Sequence, residues 1–443
     1  MNLDLFLVQK VVQSLFTNDA NTTLMTKQTS PKNENKEGEE KENNKDRRKL
    51  IEVYSMLYDK MNAAKLYVNT QKNSGCFECQ EIAVDITSQI PRPKSFSSRY
   101  ITPEISQYIT NEAKKILTFE CQIKARLIRL HFVIFKNNPN IVDLISHYKV
   151  LAHRVYMWLS MISDKSKCIE TLNIYIYLTP FEKKIPAAKG DSIGPEHANT
   201  GYTFRCDKEN EIVIYRQEEW FKVLMHETMH AFGADFDSDS SDSHANDDEY
   251  LKTLFTLPDD VNIELSETYS EIWARIMNVV FQTYFKSPPS LESRTLSKFK
   301  KNIEFYLHLE CVFSLYQCIK ILDYMGINYA VLTDGSESSK QIVTSFYREN
   351  TNVFAYYVLT SVLLNNYSDF LTWCATHNGA GLNIFKVKAT QSEFVNFIKL
   401  CYKKSDLLAQ IVETEKKVVR DYKKAATNRV LLKTMRMTII GFD

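Results

Sequence analysis

No stretch of the 443 residues approaches the roughly 18 uninterrupted apolar positions that a spanning helix needs, and this excludes helical membrane spans. A strong charge is also missing. With 55 Lys and Arg against 54 Asp and Glu, the formal net charge is +1, so no global field draws the chain to nucleic acid or to acidic surfaces. Cysteine is sparse: nine thiols scattered along a chain with no secretory leader point to reduced cysteines of an intracellular, cytoplasmic protein rather than a disulfide framework. The opening MNLDLFLVQKVVQSLF has no cationic run before its apolar residues and carries Asp4 and Lys10, which excludes a signal peptide. A short amphipathic helix is expected there instead. There is no internal repeat. What the chain does have is 44% hydrophobic and 25% charged residues, enough for one large or two ordinary globular domains with real cores.

Composition divides the chain. Residues 18–48 are rich in Lys, Glu and Asn and nearly free of large apolar side chains, so residues 1–48 read as a short helix followed by a disordered charged tether. Residues 49–125 read as a helical region. LIEVYSMLYDKMNAAKLYV has helical spacing, and residues 101–125 repeat it with Tyr108, Ile116, Leu117 and Ile123, after the connector IPRPKSFSS. RLIRLHFVIF at 126–135 then alternates as a strand, 141–162 has helical periodicity, and LNIYIYL at 172–178 places Leu172, Ile174, Ile176 and Leu178 on one face. NTGYTF at 199–204 and EIVIYR at 211–216 are two further strands. Residues 126–236 thus form a sheet-containing unit, 237–258 an acidic loop, and 259–443 a helical remainder ending in a basic helix.

The segment VLMHETMHAFG, residues 223–233, carries the chemistry. On a helix His226 and His230 lie one turn apart on the same face and can present two imidazoles to one ion, with Glu227 beside the bound water. A catalytic zinc takes a third protein ligand. The extended pattern HExxHxxGxxH would require histidine where Phe236 stands, and Asp235 and Asp237 flank that place out of phase. The alternative is a glutamate from a second helix. In ELSETYSEIWARIM, Glu267 and Glu271 are four apart, so Glu267 can reach the metal while Glu271 accepts a hydrogen bond from a ligand imidazole.

HETMH followed by SETYSEIW resembles the two motifs of the gluzincin metallopeptidases, the thermolysin-like clan, over roughly residues 126–285. The resemblance implies an α+β fold with a zincin-like mixed sheet and an HExxH active-site helix, followed by a mostly helical half. It implies Zn2+ held by His226, His230 and Glu267, Glu227 as general base, and Glu271 behind a ligand imidazole. It further implies that Asn199, Thr200, Gly201, Tyr202 and Thr203 form the edge strand that pairs with a protein or peptide substrate. His308, Tyr356 and Tyr357 are candidates for stabilising the oxyanion, and spacing does not choose among them. The sequence departs from the clan's pattern in its acidic loop, in having Glu rather than Asp at 271, and in lacking a later motif that supplies the oxyanion-stabilising histidine. Its wealth of Asn and Lys and its eleven glycines are similar in style to zinc-peptidase proteins of large DNA viruses, which would extend the location to the virion.

Other signals have plainer readings. Cys76 and Cys79 form a single CxxC without partners for a four-ligand site, so they read as reduced thiols, with a thiolate that silences the zinc as the sharper alternative. DFDSDSSDSHANDDE has alternating acids, but Asp242 stands where a calcium loop requires glycine, and a solvated loop is the default. The net basic segment 403–436 could touch nucleic acid, yet such a face is ordinarily solvated, so nucleic acid is not the expected partner. The expected function is a zinc-dependent endopeptidase. The alternative is a noncatalytic scaffold that keeps the fold and its metal, although a scaffold has no physical need of Glu227.

Overall fold

Alternating burial along residues 115–134 forms the long antiparallel pair at the centre of the fold, in a computed structural model that describes residues 36–94, 96, 100–136, 140–163, 168–236, 243–286, 294–378, 384–423 and 430–441. Helix α1 (Lys36–Thr70) leads to the edge strand β1 (Cys79–Ala83), and α2 (Pro103–Glu112) leads to β2 (Lys115–Ile123). Strand β3 (Arg126–Ile134) returns antiparallel to β2, with Lys115 opposite Ile134. Asn140 caps α3 (Ile141–Ile162) by accepting from the Asp143 amide, and α3 carries the chain over to β4 (Thr171–Tyr177), parallel to β3. The short β5 (Gly201–Thr203) and β6 (Glu209–Ile214) complete a six-stranded mixed sheet of order β1-β2-β3-β4-β6-β5, in which β6 is parallel to β4 and β5 is the far edge.

Both faces of the sheet are covered. Leu172, Ile174, Ile176, Ile212 and Ile214 point into the main core with α3 and the helices that follow, as the alternation of LNIYIYL predicts. Tyr175, Tyr177, Tyr202, Val213 and Tyr215 point the other way and pack on Ile90, Ile101, Ile105 and Ile109. Burying both faces raises the apolar content of each strand and leaves β4 and β6 almost without exposed positions.

The chain then becomes helical: α4 (Trp220–Ala231), α5 (Ser243–Leu254), α6 (Leu265–Lys286), α7 (Arg294–Met325) and, beyond them, a π-helical turn (Phe354–Leu359). Helix α4 packs on β5, β6 and α6, so the HETMH turn lies between the sheet and the helical half. A later helix, α8 (Ser405–Lys423), lies in the segment expected to be a basic helix but carries four Lys and Arg against four Asp and Glu, so it has no net charge of its own. After it the chain extends through the helical half: Asn278 donates to the Ile440 carbonyl at 2.8 Å, Glu310 accepts from the amides of Ile439 and Ile440 at 3.0 and 3.1 Å, and the Tyr357 hydroxyl donates to the Met435 carbonyl at 2.6 Å. Among the described residues no helix is long and apolar enough to cross a membrane.

Four expectations are corrected. Helix α1 begins at Lys36, inside the stretch expected to be a tether, because Lys, Glu and Arg are good helix formers and extending an existing helix costs far less than nucleating one. Residues 101–125 are not one helix. They divide into α2 and β2, whose apolar positions satisfy a period of two as well as a helical one. The acidic segment contains α5 rather than being loop throughout, while its residues 237–242 lie outside the described residues, as does the expected N-terminal amphipathic helix. Finally, Cys76 is joined to Cys121 and Cys168 to Cys206 by disulfides across sequence separations of 45 and 38. Strand pairing brings Cys121 of β2 to the residues before β1, a proximity that thiol spacing along the chain does not reveal. Cys79 is a free thiol on β1, at the sheet edge opposite β5, and Cys76 is committed to Cys121, so the CxxC supplies no thiolate to the histidines. With four of the nine cysteines paired, the thiols do not mark a reducing compartment.

Candidate metal centre

Helix α4 follows β6 almost directly, starting from Glu219, a non-glycine residue in the left-handed region with φ 60°. The short connection sets α4 beneath β5. A methyl group at Gly201 would stand 2.8 Å from the Val213 carbonyl oxygen and 3.0 Å from Val223 Cγ1, so this position needs glycine for helix and strand to approach. On the other side of α4, the Trp158 indole of α3 donates to the Thr228 hydroxyl at 2.6 Å. The helix therefore has one rotational setting, and it turns His226 and His230 toward α6.

Two turns of two helices meet there. His226 Nε2 lies 2.9 Å from Glu267 Oε2 and 3.1 Å from His230 Nε2, and His230 Nε2 lies 3.4 Å from the same Glu267 oxygen. All three ligand atoms fall within 4.8 Å of one another. The opposite ring nitrogens face carboxylates. His226 Nδ1 is 3.1 Å from Glu271 Oε2, and His230 Nδ1 meets Asp235 Oδ2. A carboxylate at each Nδ1 favours the tautomer with its proton there, which leaves both Nε2 lone pairs directed at one point beside a third negative group. Such a point attracts a cation. The side chains of His230 and Glu267 are 13% and 20% exposed, so the cluster opens to solvent on one side, while Glu271 and Asp235 behind it are sealed.

The charges around it are ordered in layers. Glu271 is held at about 2: burial would raise its pKa, but Lys222, 2.9 and 3.0 Å away, lowers it, and His226 adds to the effect. Burial would likewise lower His226, which the carboxylates of Glu267 and Glu271 instead lift to about 9. His230 is likewise raised well above the usual histidine value, with Asp235 and Glu267 outweighing its burial. Glu227 is raised by burial against the opposing pull of His226 and His230. Three carboxylates therefore demand positive charge between the imidazoles, and a divalent ion supplies it as well as protons do.

The expected site residues are largely brought together. His226, His230 and Glu267 converge, and Glu271 stands behind His226. Glu264, the other acid at the start of α6, accepts instead from Asn262. Among the oxyanion candidates the Tyr356 hydroxyl donates to Glu267 Oε2 at 3.0 Å and its ring lies 5.9 Å from His226. Tyr357 is turned away to Met435, and His308 is an exposed position of α7, so neither of these two is brought to the cluster. Both tyrosines belong to the π-helical turn, a kind of turn that frequently marks functional sites, and adjacent positions on any helix point in different directions, here one to Glu267 and one to Met435. The stretch 199–203 includes β5 at the sheet edge, with Thr351 donating to the Asn199 side chain at 3.2 Å. Since Thr200 O accepts from Tyr215 N at 2.9 Å, antiparallel alternation points the backbone groups of Gly201 and Thr203 away from β6.

Sequence reasoning did not find Lys222, Asp235 as a histidine partner, or Arg205, whose guanidinium lies 2.8 Å from Asp235 Oδ1. A lysine four residues before His226 on the same helix face was the one available signal. Comparison of the chain with protein-family models, with curated proteins and with solved structures finds no match.

Proposed function

We propose that the protein is a zinc-dependent endopeptidase of gluzincin type. The observation that carries the reading is the convergence of His226 Nε2, His230 Nε2 and Glu267 Oε2, with a carboxylate behind each imidazole. Two imidazoles and one carboxylate, with the cluster open to solvent on one side, are the donor set of a catalytic zinc site. The fit extends to the second layer, because Glu271 and Asp235 are placed to fix ring orientation and raise ligand basicity. When bound, zinc would polarise a substrate carbonyl and lower the pKa of its water to about 7.

The chain's own groups do the remaining work. Glu227 takes a proton from the attacking water and delivers it to the leaving amine. Burial that raises its pKa brings it nearer the range in which a carboxyl group can do both. The Tyr356 hydroxyl, already at Glu267, is the donor placed to support negative charge on the carbonyl oxygen. The outward backbone groups of Gly201 and Thr203 offer a peptide an extra strand, which selects an extended protein or peptide substrate.

Glu227→Gln tests this directly. The substitution should preserve fold and zinc content while lowering hydrolysis of a peptide library by roughly 100 to 10,000-fold, the usual worth of general acid and base catalysis. Zinc loading without any cleavage by the wild-type chain across the library would replace the peptidase with a metal-bearing scaffold.

A further inference from the structure

We propose that the Cys168–Cys206 disulfide is a redox latch on the metal centre, acting on His230 through Arg205 and Asp235. The proposal rests on the metal reading of the His226–His230–Glu267 cluster and concerns how that cluster is regulated.

The disulfide joins the residues before β4 to the turn between β5 and β6, and it sits on the end of the HETMH helix. A Cβ placed on Gly233 would stand 3.3 Å from Cys168 Sγ and 3.7 Å from Cys206 Sγ, and Cys168 Sγ lies 3.6 Å from the Phe232 carbonyl oxygen. Both sides of this contact have unusual backbone, with Cys206 at φ 49° and Gly233 at φ 58°. A left-handed cysteine is disfavoured unless its surroundings hold it there, and the bond to Cys168 is one such constraint.

The neighbour of Cys206 reaches the site. Arg205 Nη1 is 2.8 Å from Asp235 Oδ1, and Nη2 donates to the Asp235 carbonyl at 3.1 Å. The other Asp235 oxygen faces His230 Nδ1 and accepts from Ser270 at 3.4 Å. With its side chain fully buried, Asp235 has in Arg205 a permanently charged partner on the side away from His230. The chain of contact therefore runs from a disulfide with an exposed cysteine, Cys206, through one guanidinium and one carboxylate to a metal-ligating imidazole. The turn has other ties, since Asn210 donates to Phe204 O at 2.6 Å and Lys208 O accepts from Thr171 N at 3.0 Å. Opening the disulfide should loosen Arg205 without unfolding the hairpin.

Reduction by a dithiol cleaves the S–S bond, passes two electrons and two protons to Cys168 and Cys206 as two thiols, and leaves the reductant as its own disulfide. In the laboratory a trialkylphosphine does the same with water, ending as the phosphine oxide, and avoids a zinc-binding dithiol. The full-length protein is titrated with Zn2+ in competition with a chromophoric chelator. Cys168→Ser with Cys206→Ser should bind about 10-fold more weakly, near the lower end of what loss of a ligand's hydrogen-bond partner costs. Arg205→Ala should match it, whereas Cys76→Ser with Cys121→Ser should leave the affinity unchanged. In an Asp235→Asn background, removing the Cys168–Cys206 bond should add less than about twofold, because its path is already broken. Should the double serine variant fail to fold, phosphine treatment of the wild type and Arg205→Ala carry the same comparison. Equal affinity with and without the bond, or an undiminished effect in the Asp235→Asn background, would overturn the latch and leave the metal site standing. A wild-type chain that binds no zinc would remove both.

Discussion

Lys222→Met isolates what the buried charges behind His226 contribute. Lys222 and Glu271 are 2% and 1% exposed and stand 2.9 Å apart, so the substitution strands a buried carboxylate with His226 as its remaining contact and Arg275 as a weaker influence. Removing one partner of a buried ion pair typically costs about 3–5 kcal/mol, and the metal-free protein should lose that much in urea unfolding. Replacing both partners by apolar residues, Lys222→Met with Glu271→Leu, should restore most of the loss, because no uncompensated charge remains. Metal affinity should follow a different order. The single variant keeps Glu271 at the imidazole and should bind zinc nearly as well as wild type, while the double variant loses the ring's partner and should bind about 10 to 100-fold more weakly, or roughly 1.4–2.7 kcal/mol. Zinc should accordingly rescue the stability of the single variant more than that of the double. If the double variant is no more stable than the single, or binds zinc as tightly as wild type, Glu271 does not serve His226 as argued.

Two further outcomes follow from particular residues. Glu267→Ala should abolish stoichiometric zinc by elemental analysis, whereas Glu264→Ala should not; equal zinc in both would reject Glu267 as a ligand. Lys320 is fully buried and donates to the carbonyls of Leu431 and Thr434, and burial lowers its pKa from 10.5 to about 7. Between these values the folded protein holds a neutral amine while the unfolded chain binds a proton, so stability should rise with pH across the window by up to about 1.4 kcal/mol per unit. The unfolding free energy of Lys320→Met, measured from pH 7 to 10, should lack that slope.

The parts of the site legible in the sequence are those fixed by helical spacing. His226 and His230, and likewise Glu267 and Glu271, are one turn apart on their own helices, so each pair is oriented before any tertiary contact is known. That the two pairs meet depends on packing of α4 against α6, which two matching motifs imply and spacing alone does not. Asp235 shows the limit. It stands out in the sequence only as a neighbour of Phe236 in a failed ligand pattern, and it reaches His230 because the turn at Gly233 folds back against the Cys168–Cys206 bond. Tyr356 and Tyr357 are equivalent as adjacent letters, and only the packing of their turn against α6 and the C-terminal segment decides which of them faces Glu267. In the fold, β3, α3, β4 and β6 were legible because their burial is regular. Strand β2 was not, since Leu117, Phe119, Cys121 and Ile123 keep a period of two while Ile116, Leu117 and Ile123 also fit a helical spacing.

The helical half is more than a cover for the sheet. Glu219, the strained residue at the start of α4, turns its carboxylate away from its own helix to accept from the amide of Met437 at 2.8 Å, and it pairs with buried Lys183. Met437 in turn places its sulfur 3.5 Å from Lys222 Nζ, and Lys222 holds Glu271 behind His226. A left-handed glutamate costs on the order of 1–3 kcal/mol and persists where the surroundings over-determine it. Here the C-terminal segment supplies part of that determination, bound in its turn by Asn278, Glu310 and Tyr357. The imidazoles are therefore referenced through α4 to both the sheet and residues 435–440. A site held to fractions of an ångström needs this kind of support, because a loosely held ligand helix would leave two lone pairs and a carboxylate without a common point to meet.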